Sequence, residues 1–156
     1  MATELSKLSH RIDMELHNIE KVIVRAEAGW NKYKISKEDF LVDSVALSLH
    51  GFYNGIEGLL EKIATTVDGH LPSGSSWHRD LLNQMAYELP NVRPAVISDS
   101  TLVVLDEYLR FRHVVRQVYS YRIQPDKLAP LAEGVCNAYR SVSQELTAFA
   151  RWLVLR

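Results

Sequence analysis

A chain of 156 residues is long enough to bury a hydrophobic core without disulfides or structural metals. Hydrophobic residues form 47% and charged residues 24% of the sequence, with only seven glycines and five prolines, which excludes a disordered or fibrous chain. A net charge of −1 does not by itself indicate a nucleic-acid partner. The single cysteine cannot form a disulfide within the chain, and the sequence shows neither an export leader nor a long apolar run. These features predict a cytoplasmic protein that does not enter a membrane.

Helical periodicity runs through the chain, and no segment alternates polar and apolar residues over a useful length. The first predicted helix covers about residues 3–28. Its apolar stripe consists of Leu5, Leu8, Ile12, Leu16, Ile19 and Ile23. The second predicted helix opens at Ser36, three residues before Asp39 in capping-box spacing, and ends near Asp68 and Gly69.

Turn-forming residues separate the later helices. After a loop at 68–75, Ser76 is placed to cap a short third helix that ends at about Leu89. A second loop follows, and the fourth helix is predicted from Asp99 or Ser100 to about Ser120. Pro125 suits the first turn of a fifth helix. The apolar stripe of that helix consists of Leu128, Leu131, Val135, Tyr139, Val142, Leu146, Phe149 and Leu153.

These elements predict an all-α protein, an antiparallel bundle of about five helices in a single domain that covers residues 1–156. One face of the second helix carries small residues: Ser48, Gly51, Gly55 and Gly58. Because glycine is costly inside a helix, this face indicates close approach by another backbone. Two explanations stay open, which are tight packing within one chain and the seam of a homodimer.

The segment 108–122 carries four arginines, one histidine and no acidic residue. The predicted core-facing residues of this helix are Val104, Phe111, Val115 and Val118. A neighbouring stripe is predicted to expose Tyr108, Arg112, Arg116 and Tyr119. Guanidinium groups bind phosphate through paired donors and tyrosine rings stack on unpaired bases, so the row is a candidate RNA-binding surface. The alternative is that these arginines pair with acids on a charged surface.

The segment 111–119 resembles the motif of HEPN ribonucleases, an arginine followed by a histidine, which the HepT branch extends to histidine, any residue and tyrosine. Arg112 matches the arginine and Tyr119 the tyrosine, but Gln117 stands where the catalytic histidine is expected. Two upstream segments, 77–82 and 93–96, are also similar to HepT-like members. The resemblance thus covers about residues 76–123 and implies a HEPN-like fold.

The resemblance further implies a homodimeric endoribonuclease that uses no metal ion or other cofactor, with tRNA as a candidate substrate. It implies a nucleotidyltransferase antitoxin of the Mnt type as partner, which in some pairs attaches AMP to the motif tyrosine. By position that residue is Tyr119. Added phosphates beside Arg112 and Arg116 would occupy the donors that an RNA phosphate needs.

The residue at position 117 determines which mechanism is possible. An amide cannot accept a proton at neutral pH, so the loss of acid–base catalysis at Gln117 is expected to cost about 10²- to 10⁴-fold in rate. His113 lies one helical turn earlier and is a candidate substitute, with a structural or phosphate-binding role as the alternative. His78 has a weaker case for catalysis, because a histidine that follows Trp77 near a helix start is more often a cap or interface residue. Cys136, amid an apolar stripe, is expected to be a packing residue.

Three functional hypotheses follow. The first is an active ribonuclease that works through His113, or through Arg112 and substrate positioning. The second is an inactive HEPN protein that still binds RNA or its antitoxin. The third is a helical adaptor for a nucleotidyltransferase, in which the basic row contacts protein or nucleotide.

Overall fold

The computed structural model describes residues 2–156, except for the side chains of Ala2 and Ser120. It contains five α-helices: α1 (Ala2–Ser36), α2 (Phe40–Ile63), α3 (Trp77–Ala86), α4 (Asp99–Gln117) and α5 (Pro125–Val154). These residues form no strand, and an isolated bridge between Leu89 and Arg93 is the one β-type contact among them. The predicted all-α class is therefore confirmed. Within this part of the chain, no helix has both the length and the apolar character needed to span a bilayer.

The boundary between α1 and α2 differs from the prediction. Helix α1 continues to Ser36, because Ala26 and Trp30 extend its buried stripe and the Trp30 indole donates a hydrogen bond to Glu133 of α5. Lys37 then adopts a left-handed conformation with φ of 58°. Helix α2 starts at Phe40, and the Asp39 side chain makes no capping hydrogen bond, so the capping box predicted at Ser36 is wrong.

Helix α2 is the centre of the bundle, since it contacts each of the other four helices. Helix α1 packs along both α2 and α5. The predicted stripes on α1 and α5 are largely confirmed, although Leu5, Leu131 and Tyr139 are only partly buried. Burial of these long stripes supplies the main stabilising term for the bundle, because each fully buried aliphatic side chain contributes roughly 1.5–3 kcal/mol.

The small-residue face of α2 packs against α1 of the same chain. A Cβ atom added at Gly55 would lie 2.8 Å from Cγ1 of Ile19, and one added at Gly51 would lie 3.6 Å from Cγ1 of Val22. The first distance is shorter than any ordinary carbon contact, so glycine at position 55 permits the helices to approach. Packing within one chain therefore explains Gly51 and Gly55, whereas a Cβ atom added at Gly58 would meet nothing within 4 Å, so a homodimer seam at that end of the face stays a prediction.

A buried ion pair fixes the loops around α3. Helix α2 ends in a π-helical turn at Ala64–Asp68, which Gly69 stops with a left-handed φ of 71°. The turn points Asp68 at Arg93, whose Nε lies 2.6 Å from Oδ1 of Asp68. The Arg93 guanidinium also donates to three backbone carbonyls, those of Gln84, Tyr87 and Pro94. This network holds the segment between α3 and α4 against the end of α2.

Candidate functional site

Helix α4 is anchored at its start by Ser98. The Ser98 hydroxyl accepts a hydrogen bond from the backbone of Thr101 at 3.2 Å and donates one to Glu145 of α5 at 2.8 Å. Such an N-cap typically contributes about 1 kcal/mol. The buried residues of this helix are Thr101, Leu105, Tyr108, Leu109 and Phe111. Of the predicted core face, Phe111 is buried, Val104 and Val115 are partly buried, and Val118 is exposed. The buried face is thus rotated relative to the prediction.

The prediction that Tyr108 lies on an exposed RNA-binding stripe is wrong. Its side chain is 3% exposed, and its hydroxyl donates a hydrogen bond to the carbonyl of Leu131 at 2.9 Å. The ring packs edge-on against Phe52 of α2. Burial raises the pKa of the phenol further above its ordinary value. Tyr108 is a core residue, because its helix face is the one that carries Leu105.

Arg112 and Arg116 continue this same helix face, at spacings of four residues from Tyr108. Arg112 is therefore directed at α2 and is partly buried, which corrects its predicted place on an open flank. Its Nε donates a hydrogen bond to Oδ1 of Asn54 at 3.1 Å. Its Nη1 is buried without a partner, whereas Nη2, also unpartnered among the described residues, is not one of the buried atoms. Arg116, one turn later, is exposed.

Asn54 of α2 links Arg112 of α4 to His50, which also lies on α2. Arginine only donates, so Oδ1 of Asn54 accepts and its Nδ2 is left to donate to Nε2 of His50, at 2.9 Å. A neutral His50 therefore carries its proton on Nδ1, which is buried without a partner. Burial lowers the pKa of His50, and the charges of Arg112 and Arg116 lower it further. A neutral His50 preserves the hydrogen-bonded chain that holds Arg112.

This lowered pKa predicts a specific dependence of stability on pH. Between the folded-state pKa of His50 and its ordinary value of 6.5, the unfolded chain binds more protons, so the free energy of unfolding should fall as the pH drops below 6.5. His50→Gln retains an acceptor for Asn54 but does not titrate. Urea denaturation at pH 7.5 and pH 5 is expected to show that the free energy of unfolding falls less between these two pH values in His50→Gln than in the unaltered protein. Equal losses in both proteins would contradict the assignment.

A second polar pair lies one turn further along α2. Glu57 is 7% exposed, and its Oε2 lies 2.7 Å from Nδ1 of His78 in the first turn of α3. The His78 ring also lies against Trp77 and has its centroid 6.0 Å from that of His113. Burial and the nearby Glu57 carboxylate raise the pKa of Glu61, one turn beyond.

These side chains form one polar cluster, which we call the polar face, and Tyr53 and Glu57 are its buried members. It comprises His50, Tyr53, Asn54 and Glu57 of α2, His78 of α3, and Arg112, His113 and Arg116 of α4. The sequence reasoning missed all four α2 residues. The available signal was the spacing of three and four between His50, Asn54, Glu57 and Glu61, which breaks the apolar pattern of α2 along one line.

The end of α4 also differs from the prediction. The helix ends at Gln117, and Val118 is extended with φ of −123° and ψ of 154°. Tyr119 therefore lies beyond the helix and not beside Arg112 on a helical stripe. It is 72% exposed, and its ring is nearly parallel to that of Tyr121 at a centroid distance of 6.0 Å. Gln117 is exposed as well, and its side chain has no hydrogen-bond partner among the described residues.

Cys136 is not placed for nucleophilic chemistry. Its thiol donates a hydrogen bond to Oε2 of Glu27 at 3.0 Å. This hydrogen bond, followed by burial, raises the pKa of the thiol and disfavours the reactive thiolate.

The all-α bundle, with Arg112 near the end of α4 bonded to Asn54 of α2, is consistent with the HEPN class of helical proteins. Residues 44–153, more than half of the chain, match the model of a family described as HepT-like protein. The chain belongs to the HepT-like family. No curated protein and no solved structure shows significant similarity to it.

Proposed function

We propose that this protein is a HepT-like toxin that binds RNA at the polar face and cleaves it without a metal ion, with tRNA as the candidate substrate. The observation that carries the proposal is the state of Arg112. Its Nε is held by Asn54, its Nη2 is neither buried nor partnered among the described residues, and Arg116 is exposed one turn away. Neither guanidinium forms a salt bridge with a described acid, so the alternative of surface pairing has no support here.

Two adjacent guanidiniums suit the chemistry of RNA cleavage. When a ribose 2′-hydroxyl attacks the neighbouring phosphorus, negative charge builds on the phosphoryl oxygens. Guanidinium donors fixed in advance at that point stabilise the charge. Asn54 supplies this fixation for Arg112, because it ties Nε and leaves the outer nitrogen free.

The partners of this proposal come from the family. We include a Mnt-type nucleotidyltransferase antitoxin, a homodimer, and Tyr119 as the acceptor of AMP. The exposure of Tyr119, at 72%, supports the last of these, since a modifying enzyme must reach the phenol oxygen. The turn that follows α4 carries Tyr119 close in sequence to Arg116, where an attached phosphate would compete with RNA.

A second candidate function is supported by Gln117. An amide at the motif position cannot act as a base, which favours a chain that binds RNA or its antitoxin but does not cut. In this case Arg112 and Arg116 would serve binding alone.

Cleavage of labelled tRNA in excess EDTA, by this chain and by Gln117→His, separates the two candidates. The proposed ribonuclease is expected to cut as it stands, and Gln117→His should change the rate by less than about tenfold, since acid–base help is already supplied elsewhere. If the unaltered chain bound tRNA without cutting it and Gln117→His cut it, the inactive binding protein would be the correct account. An adaptor would show neither binding nor cleavage at moderate salt.

A further inference from the structure

The Glu57–His78 pair has the geometry of an oriented base. Glu57 is an acceptor, so the Nδ1 of His78, 2.7 Å from its Oε2, must be the donor. A neutral His78 then has its lone pair on Nε2. That nitrogen has no hydrogen-bond partner within residues 2–156 and is not among the buried unpartnered atoms, so it reaches solvent. A carboxylate that fixes the tautomer of a histidine in this way is a recurring device of proton-transfer sites.

The pair also neighbours the group that holds Arg112. Glu57 follows Asn54 by three residues on α2, so the groups that hold His78 and Arg112 are neighbours on one helix face. On α4, the His113 ring that lies 6.0 Å from His78 belongs to the residue next to Arg112. Gln117 is one turn beyond His113. His78 is thus on the same side of α4 as the position of the missing histidine.

The other two histidines of the polar face do not combine an orienting carboxylate with a ring nitrogen that is free to accept a proton. His50 gives its lone pair to Asn54, so accepting a substrate proton would break the chain that holds Arg112. His113 is exposed, and no described residue hydrogen-bonds its ring to orient it. Only His78, of these three, combines an orienting carboxylate with a free ring nitrogen.

We infer that His78, oriented by the buried Glu57, is the general base that replaces the motif histidine, an inference that rests on the proposed ribonuclease function. In the step it serves, Nε2 of His78 takes the proton of the ribose 2′-hydroxyl. The 2′-oxygen forms a bond to phosphorus while the bond from phosphorus to the 5′-oxygen breaks. The 5′-oxygen takes a proton from water, a 2′,3′-cyclic phosphate results, and His78 returns its proton to solvent.

The test is tRNA cleavage in EDTA, measured beside tRNA affinity, for His78→Asn, His113→Asn and His10→Asn. The asparagine Nδ2 occupies the place of the histidine Nδ1, so His78→Asn keeps a donor for Glu57 and is expected to fold. We expect His78→Asn to lower the cleavage rate by at least about 100-fold, with an affinity change below about threefold. His10, exposed on α1 outside the polar face, supplies the control, and His10→Asn should cut at the unaltered rate.

Each outcome bears on the inference. Full cleavage by His78→Asn, or loss of cleavage in His113→Asn alone, overturns the role of His78 and leaves the ribonuclease function intact. Binding without cleavage by the unaltered chain overturns the ribonuclease function and the base with it. Should His78→Asn fail to fold, as circular dichroism would show, His78→Gln provides the same comparison. Its side chain has no basic nitrogen at any neutral pH.

Discussion

Arg112→Ala is expected to lower tRNA cleavage by about 10²- to 10³-fold, the usual effect of removing one fixed donor from a developing anion. Arg112→Lys keeps the charge but lacks the second nitrogen that pairs with phosphate, so most of the loss should persist. Asn54, which holds Arg112, is exposed and can bond to water in the variants, so the fold is expected to survive.

The control for this prediction is Arg140→Ala. Arg140 is exposed on α5, and among the described residues its side chain hydrogen-bonds only to Asn137, three residues away. The Arg140→Ala protein should cut tRNA at the rate of the unaltered protein. If Arg112→Ala and Arg140→Ala cut equally fast, the guanidinium of Arg112 would have no part in the chemistry.

Asp68→Ala is expected to destabilise the fold by about 3–5 kcal/mol, because it leaves the Arg93 charge buried without its counter-ion. The side chains of Arg93 and Asp68 are 0% and 2% exposed, so water cannot replace the lost carboxylate. Gln84, which also donates to Asp68, loses a partner at the same time. For a chain of this size the loss corresponds to a melting temperature lower by roughly 6–20 °C.

Thermal unfolding followed by circular dichroism measures this effect, with Asp13→Ala as the control for removal of an exposed carboxylate from α1. Asp68→Asn retains an acceptor for Arg93 and should cost less than Asp68→Ala. Equal melting temperatures for Asp68→Ala and Asp13→Ala would show that the buried pair does not hold the loops around α3.

The long helices could be predicted because local pattern and tertiary packing agree in them. Every turn of α1 between Leu8 and Ile23 presents an aliphatic residue on one line, and that line is the buried one. The same holds for α5 from Leu128 to Leu153. In such helices a single periodicity decides which face packs.

Helix α4 was harder to predict because its buried face mixes apolar and amphipathic residues. Tyr108 and Arg112 lie in line with Leu105, and each buries its apolar stem while its polar end finds a specific partner. A different face carries Val104, Val115 and Val118, and this pattern led to the wrong prediction of the core-facing side. The end of the helix at Gln117 has no proline or glycine to mark it, so Tyr119 could not be placed off the helix from its spacing.

The polar face itself depends on contacts between distant segments. His50 and Asn54 resemble solvated helix residues until Arg112, 58 positions later than Asn54, completes their hydrogen bonds. Glu57 and His78 come from different helices, and their hydrogen bond forms only when α2 and α3 pack together, so neither residue could be identified from its own segment. The family motif could locate Arg112, but it contains no information on the α2 residues that orient it.

Arg112 and Arg116 are proposed to bind the phosphates of an RNA strand, and the ribonuclease function depends on this binding. The most direct test is the affinity for a single-stranded RNA over a range of salt concentrations, for the unaltered protein and for the double variant Arg112→Gln, Arg116→Gln. Each lost phosphate contact should make the slope of log affinity against log salt shallower by about 0.7. The slope of the double variant is therefore expected to be shallower by about 1.4. An unchanged slope would contradict the claim, since no phosphate would then be neutralised by this pair.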